Sequence, residues 1–283
     1  MKKVLVLGAK GMAGHVVLKL LPQLGSYDVW GIARNIDESD RLINLDVKNT
    51  DKLSAIVASH NFDCIINCIG ILNKEAEDNP DKAIWFNSYF PHFIESITRN
   101  TSTKVIHIST DCVFSGKMGA YTENDLKDGY GFYAQSKNLG ELDNNKDLTL
   151  RTSIIGPEVN ENGIGLFHWF MSQNNDVELK GFTHAFWSGI TTIELTKTIH
   201  AAIEQNITGL IQITQKNKID KYSLLQLFNT IFKSGLISIR PNSDYHVDKS
   251  MVSIRTDFNY KTPEYDAMLL EMKQWIEQNN YKY

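Results

Sequence analysis

The sequence predicts an α/β protein built on a doubly wound parallel sheet, with a smaller α/β subdomain formed by its C-terminal half. Three observations carry this. Short apolar runs alternate with longer helical patterns through the first half of the chain, the rhythm of parallel strands joined by crossover helices. Several runs are apolar at every position, as strands covered on both faces require. A glycine-rich turn, GAKGMAG, follows the first run directly.

The strands are read at residues 4–7 (VLVL), 28–33 (DVWGIA), 64–69 (CIINCI), 105–109 (VIHIS) and 148–151 (LTLR). A helix opens near Met12. Between Pro80 and Asn100, the positions Ala83, Phe86, Phe90, Ile94 and Ile97 recur at helical spacing and give one buried stripe. Pro91 should bend that helix, because it lacks the N–H a helical turn uses. Asn87 lies one residue off the stripe, where a buried amide needs partners. Beyond Arg151 the pattern loosens into helices expected at 164–173, 191–204, 222–232 and 263–278, with short strands near 209–213 and 236–239. No repeat, low-complexity tract or Pro/Ser linker intervenes. Residues 1–152 and 153–283 are therefore expected to pack as domain and subdomain, some elements of the second returning to the first, with the cleft between them as the natural ligand site.

Composition narrows the function. A net charge of −4 gives no reason to expect nucleic acid as a partner. No run of about 18 apolar residues exists to span a bilayer, so no membrane partner is expected. The opening MKKVLVLGAKG passes from two lysines straight into a strand, without a cleavable apolar segment, and the cytoplasm is the expected location. Cys64, Cys68 and Cys112 are too few for a disulfide framework. The first two sit in apolar DCIINCIG with no second cysteine pair, so they read as buried thiols, and no metal is expected.

Gly8, Gly11 and Gly14 stand after the first strand and at the mouth of a helix. Glycine there lets backbone approach a pyrophosphate, while the helix N-terminus offers free N–H groups and positive potential. That placement predicts a Rossmann-type dinucleotide site. The second strand ends GIARN, with Arg34 and no acid before Asp37, and Lys10 adds a cation inside the turn. Cations favour a 2′-phosphate, so NADPH is expected over NADH; the competing reading makes both ordinary surface charges and lets Asp37 reach the ribose. Asp46 is a candidate acceptor for the adenine amino group.

VIHISTDCVFSG puts Ser109, Thr110 and Asp111 at the C-terminal end of a central strand, the edge where open parallel sheets bind ligands. Downstream, GYGFYAQSKNLGE spaces Tyr133 and Lys137 four apart, neighbours on one helix face. In these residues, in GAKGMAG, NCIG, STD, YAQSK and RTSIIGPE taken in order, the chain resembles the extended short-chain dehydrogenase/reductase family. STDCVFSG, YxxxK and LxLRTS look most like its dTDP-4-dehydrorhamnose reductase branch. The resemblance implies a nicotinamide cofactor in the N-terminal half and a nucleotide-sugar substrate in a substrate-binding C-terminal half, with Thr110, Tyr133 and Lys137 as the catalytic trio. It also implies that Met12, Ala13, Val47, Cys68, Ile69, Gly70, Asn87 and Ser109 line the cofactor, and that Asp111, Cys112 and Ile154 border the sugar. A homodimer is a further family expectation, as is a place in making polysaccharide precursors from 4-keto-6-deoxy sugars.

For ketone reduction, Tyr133 would protonate the developing alkoxide, Lys137 and the cofactor's positive ring would lower the phenol's pKa, and Thr110 would hold the substrate oxygen. Sugar-nucleotide 4,6-dehydratases need an added acid and base, Asp then Glu after the threonine; Cys112 at the second position argues against dehydration. An epimerase of the same fold and a non-catalytic NADP-binding regulatory subunit remain open. The branch commonly has aromatics where this chain has Cys112 and Ile154. The segment KGFTHAFWSG offers His184 and Trp187 as replacement sugar contacts, against the plainer reading of a solvated histidine and a packed indole.

Overall fold

The computed structural model describes residues 1–160 and 163–283. Its centre is a seven-stranded, wholly parallel sheet. In chain order, β1 (Lys2–Leu7), α1 (Gly14–Leu24), β2 (Tyr27–Ala33), β3 (Leu42–Asn44), α2 (Thr50–His60) and β4 (Cys64–Asn67) build the first half-sheet. α3 (Asn73–Asp78) then leads into α4 (Pro80–Ala83), a π-helical turn (Ile84–Tyr89) and α5 (Phe90–Thr98), followed by β5 (Lys104–Thr110), α6 (Gly131–Leu139) and β6 (Leu148–Thr152). The order across the sheet begins β3-β2-β1 and continues β4-β5-β6. The chain therefore reverses direction between β1 and β4, which opens a crevice at their C-terminal ends.

Strand chemistry explains the two covered faces. Along β1, Val4 and Val6 point into one core with Val16, Val17 and Leu21 of α1, while Leu5 and Leu7 point into another with Leu53, Phe90 and Ile94. All four strand residues are fully buried, each stabilising the fold by about 1.5–3 kcal/mol. Pro91 acts otherwise than by bending. It cannot donate to the Asn87 carbonyl, and the preceding turn widens so that the Phe90 N–H reaches back to Trp85 O.

The C-terminal half adds β7 (Ile154–Ile155), α7 (Leu166–Met171), β8 (Glu178–Trp187), β9 (Ile190–Thr191), α8 (Thr192–Glu204), β10 (Gly209–Gln212), β11 (Ile219–Asp220), α9 (Lys221–Phe232), β12 (Ser238–Asp248) and α10 (Tyr265–Gln278). β10 pairs with β6 and completes the large sheet, and α8 packs beside α1. β8 is the middle of a second sheet, antiparallel to β11 and parallel to β12. This ten-residue strand is unexpected from the sequence, and β12 runs well past the short strand expected near 236–239. Among the described residues no helix is long and apolar enough to cross a membrane.

One buried ion pair ties β5, β6 and the exit of α6 together. Arg151 Nε and Nη2 donate to the two Glu141 carboxylate oxygens at 2.8 and 2.7 Å, with both side chains essentially sealed from solvent. The Ser109 hydroxyl donates to the same carboxylate at 2.7 Å, and Lys127 Nζ at 3.0 Å. The guanidinium also lies 5.0 Å from the Phe114 ring centre. Removing one partner of a buried pair strands the other charge, so Arg151→Met is expected to cost about 3–5 kcal/mol by urea unfolding. The double variant with Glu141→Leu should recover most of that loss; equal loss in both would show that packing, not charge, is at stake.

Candidate active site

The glycine turn leaves β1 and closes on itself. Gly8 takes a φ of +82°, a region side chains disfavour, and its carbonyl accepts from Gly11 N at 2.8 Å. A Cβ on Gly14 would sit 2.2 Å from that carbonyl, so no larger residue fits there. Helix α1 starts at Gly14, two residues later than expected, which leaves Met12 and Ala13 inside the turn. The His15 ring anchors it: Nδ1 meets Gly11 O at 2.8 Å and Nε2 meets the Tyr281 hydroxyl at 2.6 Å.

Beside the turn, Lys10 Nζ donates to Asn35 O at 2.5 Å, just past β2. The Arg34 guanidinium is largely exposed and lies 3.9 Å from Asp46 Oδ2. Lys10, Arg34 and Asp46 thus share one end of β2. Val47 is buried in the core under α2, so only its backbone is left to face a ligand. On the other side Ile69 touches Gly8 closely enough that a Cβ there would lie 2.9 Å from Ile69 Cγ1. Cys68 donates its N–H to Leu7 O at 3.0 Å, and burial pushes its thiol up to about 12. Asn87 clasps this loop, accepting from Ile71 N at 2.8 Å and donating to Ile71 O at 2.9 Å and to the Ser136 hydroxyl at 3.0 Å. The amide predicted to need partners has them, and they join the loop containing Gly70 to α6.

At the end of β5 the side chains divide. Ser109 is turned into the Glu141 network, a correction to its expected place beside the cofactor: neighbouring strand residues face opposite sides. Thr110 caps a 3₁₀ turn, Asp111–Val113, accepting from Cys112 N at 3.1 Å and donating to Asp111 Oδ1 at 3.1 Å. Its hydroxyl lies close enough to the Tyr133 phenol to favour the phenolate. Lys137, almost wholly buried one helical turn on, donates to Ile108 O at 2.7 Å and lies 3.2 Å from His107 Nε2.

The charges differ from expectation in one respect. Burial pushes the Tyr133 phenol above its ordinary pKa, the Cys112 and Asp111 side chains add to this, and only the Thr110 hydroxyl opposes it. Lys137 is itself lowered to about 8 by burial, against the pull of Glu141 and Cys68. Burial thus keeps the Tyr133 phenol neutral and makes the Lys137 ammonium a stronger acid than a lysine in water.

A cavity of about 250 Å³ opens over Tyr133, walled also by Cys112, Glu77, Asn73, Tyr245 and Lys249 among others. A larger cleft of about 440 Å³ near Met1 and His200 lies at the N-terminal end of β1 and holds none of these groups. Asp111 is buried beside the cavity, and Ile154 packs on the core at β7. Neither His184 nor Trp187 is a wall of it. His184 stacks on His246 at the surface, ring centres 4.5 Å apart. Trp187 is 3% exposed and packs on Tyr265, which corrects its reading as a sugar contact.

Three groups escaped the sequence. Lys249 reaches the Cys112 thiol, and Lys221, its ammonium 5.1 Å from the Trp187 ring centre, faces Asp111. Glu77 caps α6 from outside, its two oxygens accepting from Phe132 N and Tyr133 N at 3.1 Å each. A signal for it existed: the α6 entry GYGFY has no capping Ser, Thr, Asp or Asn of its own.

A family model described as the RmlD substrate binding domain matches residues 1–208. The chain belongs to that family. It is 31% identical over 157 residues to the probable low-salt glycan biosynthesis reductase Agl14 of Haloferax volcanii, a match covering 53% of this chain and 52% of that protein. It thus spans about half the length of that curated relative. Over 245 residues, 84% of this chain and 81% of the other, it is 24% identical to a dTDP-4-keto-6-deoxy-D-glucose reductase of Streptomyces niveus. The fold matches that of a dTDP-4-dehydrorhamnose reductase from Bacillus anthracis solved in complex with NADP, with a TM-score of 0.82, 19% identity and coverage of 97% and 99% of the two chains.

Because Glu77 supplies the missing cap, Glu77→Ala is expected to destabilise the protein by about 1 kcal/mol in urea unfolding. Amide exchange at Phe132 and Tyr133 should rise selectively; unchanged exchange at both would show that the carboxylate does not hold the helix start.

Proposed function

We propose that this protein is an NADPH-dependent oxidoreductase that reduces the 4-keto group of a nucleotide-activated 6-deoxy sugar, in the supply of polysaccharide precursors. The observation that carries the reading is the joint presence of Thr110 at the end of β5, of Tyr133 and Lys137 on α6 with Tyr133 in the wall of a cavity, and of a glycine turn after β1 too tight for side chains. The same reading extends to a cytoplasmic location, to a homodimer, and to residues 1–152 and 153–283 as cofactor and substrate domains. Sugar-nucleotide reductases among the relatives support it.

The residues fit a dinucleotide phosphate. The N–H groups of Met12, Ala13 and Gly14 would meet the pyrophosphate, Lys10 and Arg34 the 2′-phosphate, Asp46 the adenine, and the 68–70 loop the nicotinamide half. When bound, NADPH supplies the hydride. Thr110 would hold the keto oxygen beside the Tyr133 phenol, which passes its proton to that oxygen as negative charge grows there. A phenol kept protonated by burial suits this donor role. Cys112 leaves no second carboxylate for dehydration. Lys221 and Lys249 lie near Asp111 and Cys112, and cations at that place suit an anionic substrate such as a nucleoside diphosphate sugar.

Purified protein incubated with NADPH and a panel of dTDP- and UDP-linked 4-keto-6-deoxy sugars is expected to oxidise the cofactor with one of them, seen as loss of nicotinamide absorbance. Tyr133→Phe should abolish turnover while cofactor binding persists. Binding without turnover across the panel would instead support the regulatory-subunit reading. Separately, Arg34→Ala should weaken NADPH binding roughly ten-fold and leave NADH binding unchanged, since only the former offers a charged hydrogen-bond partner. Equal effects on both would place the 2′-phosphate elsewhere.

A further inference from the structure

His107 is fully buried in the middle of β5, and the mechanism above gives it no part. Its two nitrogens face Asn67 at the end of β4 and Lys137 of α6. The hydrogen-bond roles along this chain can be deduced from its far end. Ile69 N–H lies 3.1 Å from Asn67 Oδ1 and needs an acceptor, so the amide oxygen is committed there. Asn67 Nδ2 is then the atom 3.1 Å from His107 Nδ1. An amide nitrogen only donates, so Nδ1 is the accepting nitrogen, and the single proton of the neutral ring sits on Nε2. Burial, with Lys137 nearby, keeps this ring neutral. Nε2–H therefore points at Lys137 Nζ, 3.2 Å away. An ammonium cannot accept that proton. An amine can.

We propose that His107 is a positioning residue for Lys137: pinned by Asn67 in the Nε2–H form, it serves the amine and makes Lys137 a group that readily gives up a proton. This rests on the reductase reading. There, Tyr133 loses its proton to the keto oxygen and must regain one. When the proton comes from Lys137, an N–H bond breaks on the lysine and an O–H bond forms on the phenolate. The lone pair left on Nζ is the one His107 Nε2–H is aimed to receive, and water reprotonates the lysine. The groups that face Lys137 are His107 and the Ile108 carbonyl from β5, the Cys68 thiol beyond β4 and Glu141 after α6, with His92 of α5 near His107 and Tyr133 one turn earlier on the same helix. Of these, Glu141 and Cys68 favour the ammonium. His107 opposes them.

The wild-type protein can be tested without a substrate. Long-range proton–nitrogen NMR of the labelled protein should show His107 as the neutral Nε2–H tautomer at neutral pH; the Nδ1–H tautomer or an imidazolium would overturn the proposal. A second measurement follows the Cε resonance of Lys137, assigned by its loss in Lys137→Met, as pH rises. In the wild type it should titrate with a midpoint near 8. Asn67→Asp puts a carboxylate against Nδ1, which moves the ring proton there and turns a lone pair on Nε2 towards the lysine, so the midpoint should rise by roughly one unit. His107→Gln, whose amide oxygen can accept from the ammonium, should shift it the same way. An unmoved midpoint in either folded variant would refute the proposal, and should neither fold, the wild-type tautomer decides alone. None of these readouts depends on turnover, so the failure of the reductase reading would be seen separately.

Discussion

The ion pair between Glu141 and Arg151 is the constraint on which the site's geometry depends. It joins the strand that ends in Thr110, the helix that carries Tyr133 and Lys137, and the next strand of the sheet. Burying two charges is costly, and their attraction seldom returns more than that cost. The value of the pair is therefore positional. A bidentate carboxylate–guanidinium contact has one geometry, and a third bond from Ser109 fixes the height of the strand end beside it. Thr110, the next residue, inherits that position. So does Lys137, one helical turn before the carboxylate.

Helix α6 needs such fixing because it has little of its own. It is nine residues long and begins without a side-chain cap, too short to persist alone in water. Contacts from outside hold it at three further levels. Glu77 closes the first turn. Asn87 and Ser88 of the π-helical turn bond the Ser136 hydroxyl and carbonyl, at 3.0 and 2.8 Å. At the far end Gly140 lies so near the Asn87 carbonyl that a Cβ there would stand 1.8 Å from the oxygen. That carbonyl is the one Pro91 leaves without its usual helical partner. The proline thus shapes the surface on which the helix rests, which a simple bend would not have done.

How much of this could be read from the residues follows physical lines. Continuous apolar runs such as VLVL and CIIN mark strands buried on both faces, and the glycine trio marks its turn by position. β8 was illegible because its inward positions include Gly181, Thr183 and Ala185, too small or polar to give a period of two, while Phe182 faces out. β12 holds Pro241 and Asn242, which read as a turn but are tolerated on an edge strand. Ser109 was misplaced by treating a motif as a patch: alternation puts Ser109 with His107, on the face away from Thr110. Glu77, Lys221 and Lys249 are single charges far along the chain from the groups they serve, and no local pattern sets them apart from surface charges.

The packed tryptophan clarifies the cleft. Trp187 lies in the core, and the Lys221 ammonium rests near its face. Lys221 is the first residue of α9, where the helix dipole disfavours a cation. Burial lowers it further, to about 8, and only the attraction of Asp111 and Cys112 opposes this. Lys249 also lies near that thiol, held above its ordinary value by Cys112 and Asp111 despite its burial. The Asp111 carboxylate acts on both cations. A polar centre that the fold holds at such expense is favoured once a multiply charged anion joins it, since a diphosphate would offset both the desolvation and the dipole. The indole is the rigid face beside which the Lys221 ammonium rests, so Trp187 bears on the charge next to Asp111 from within the core.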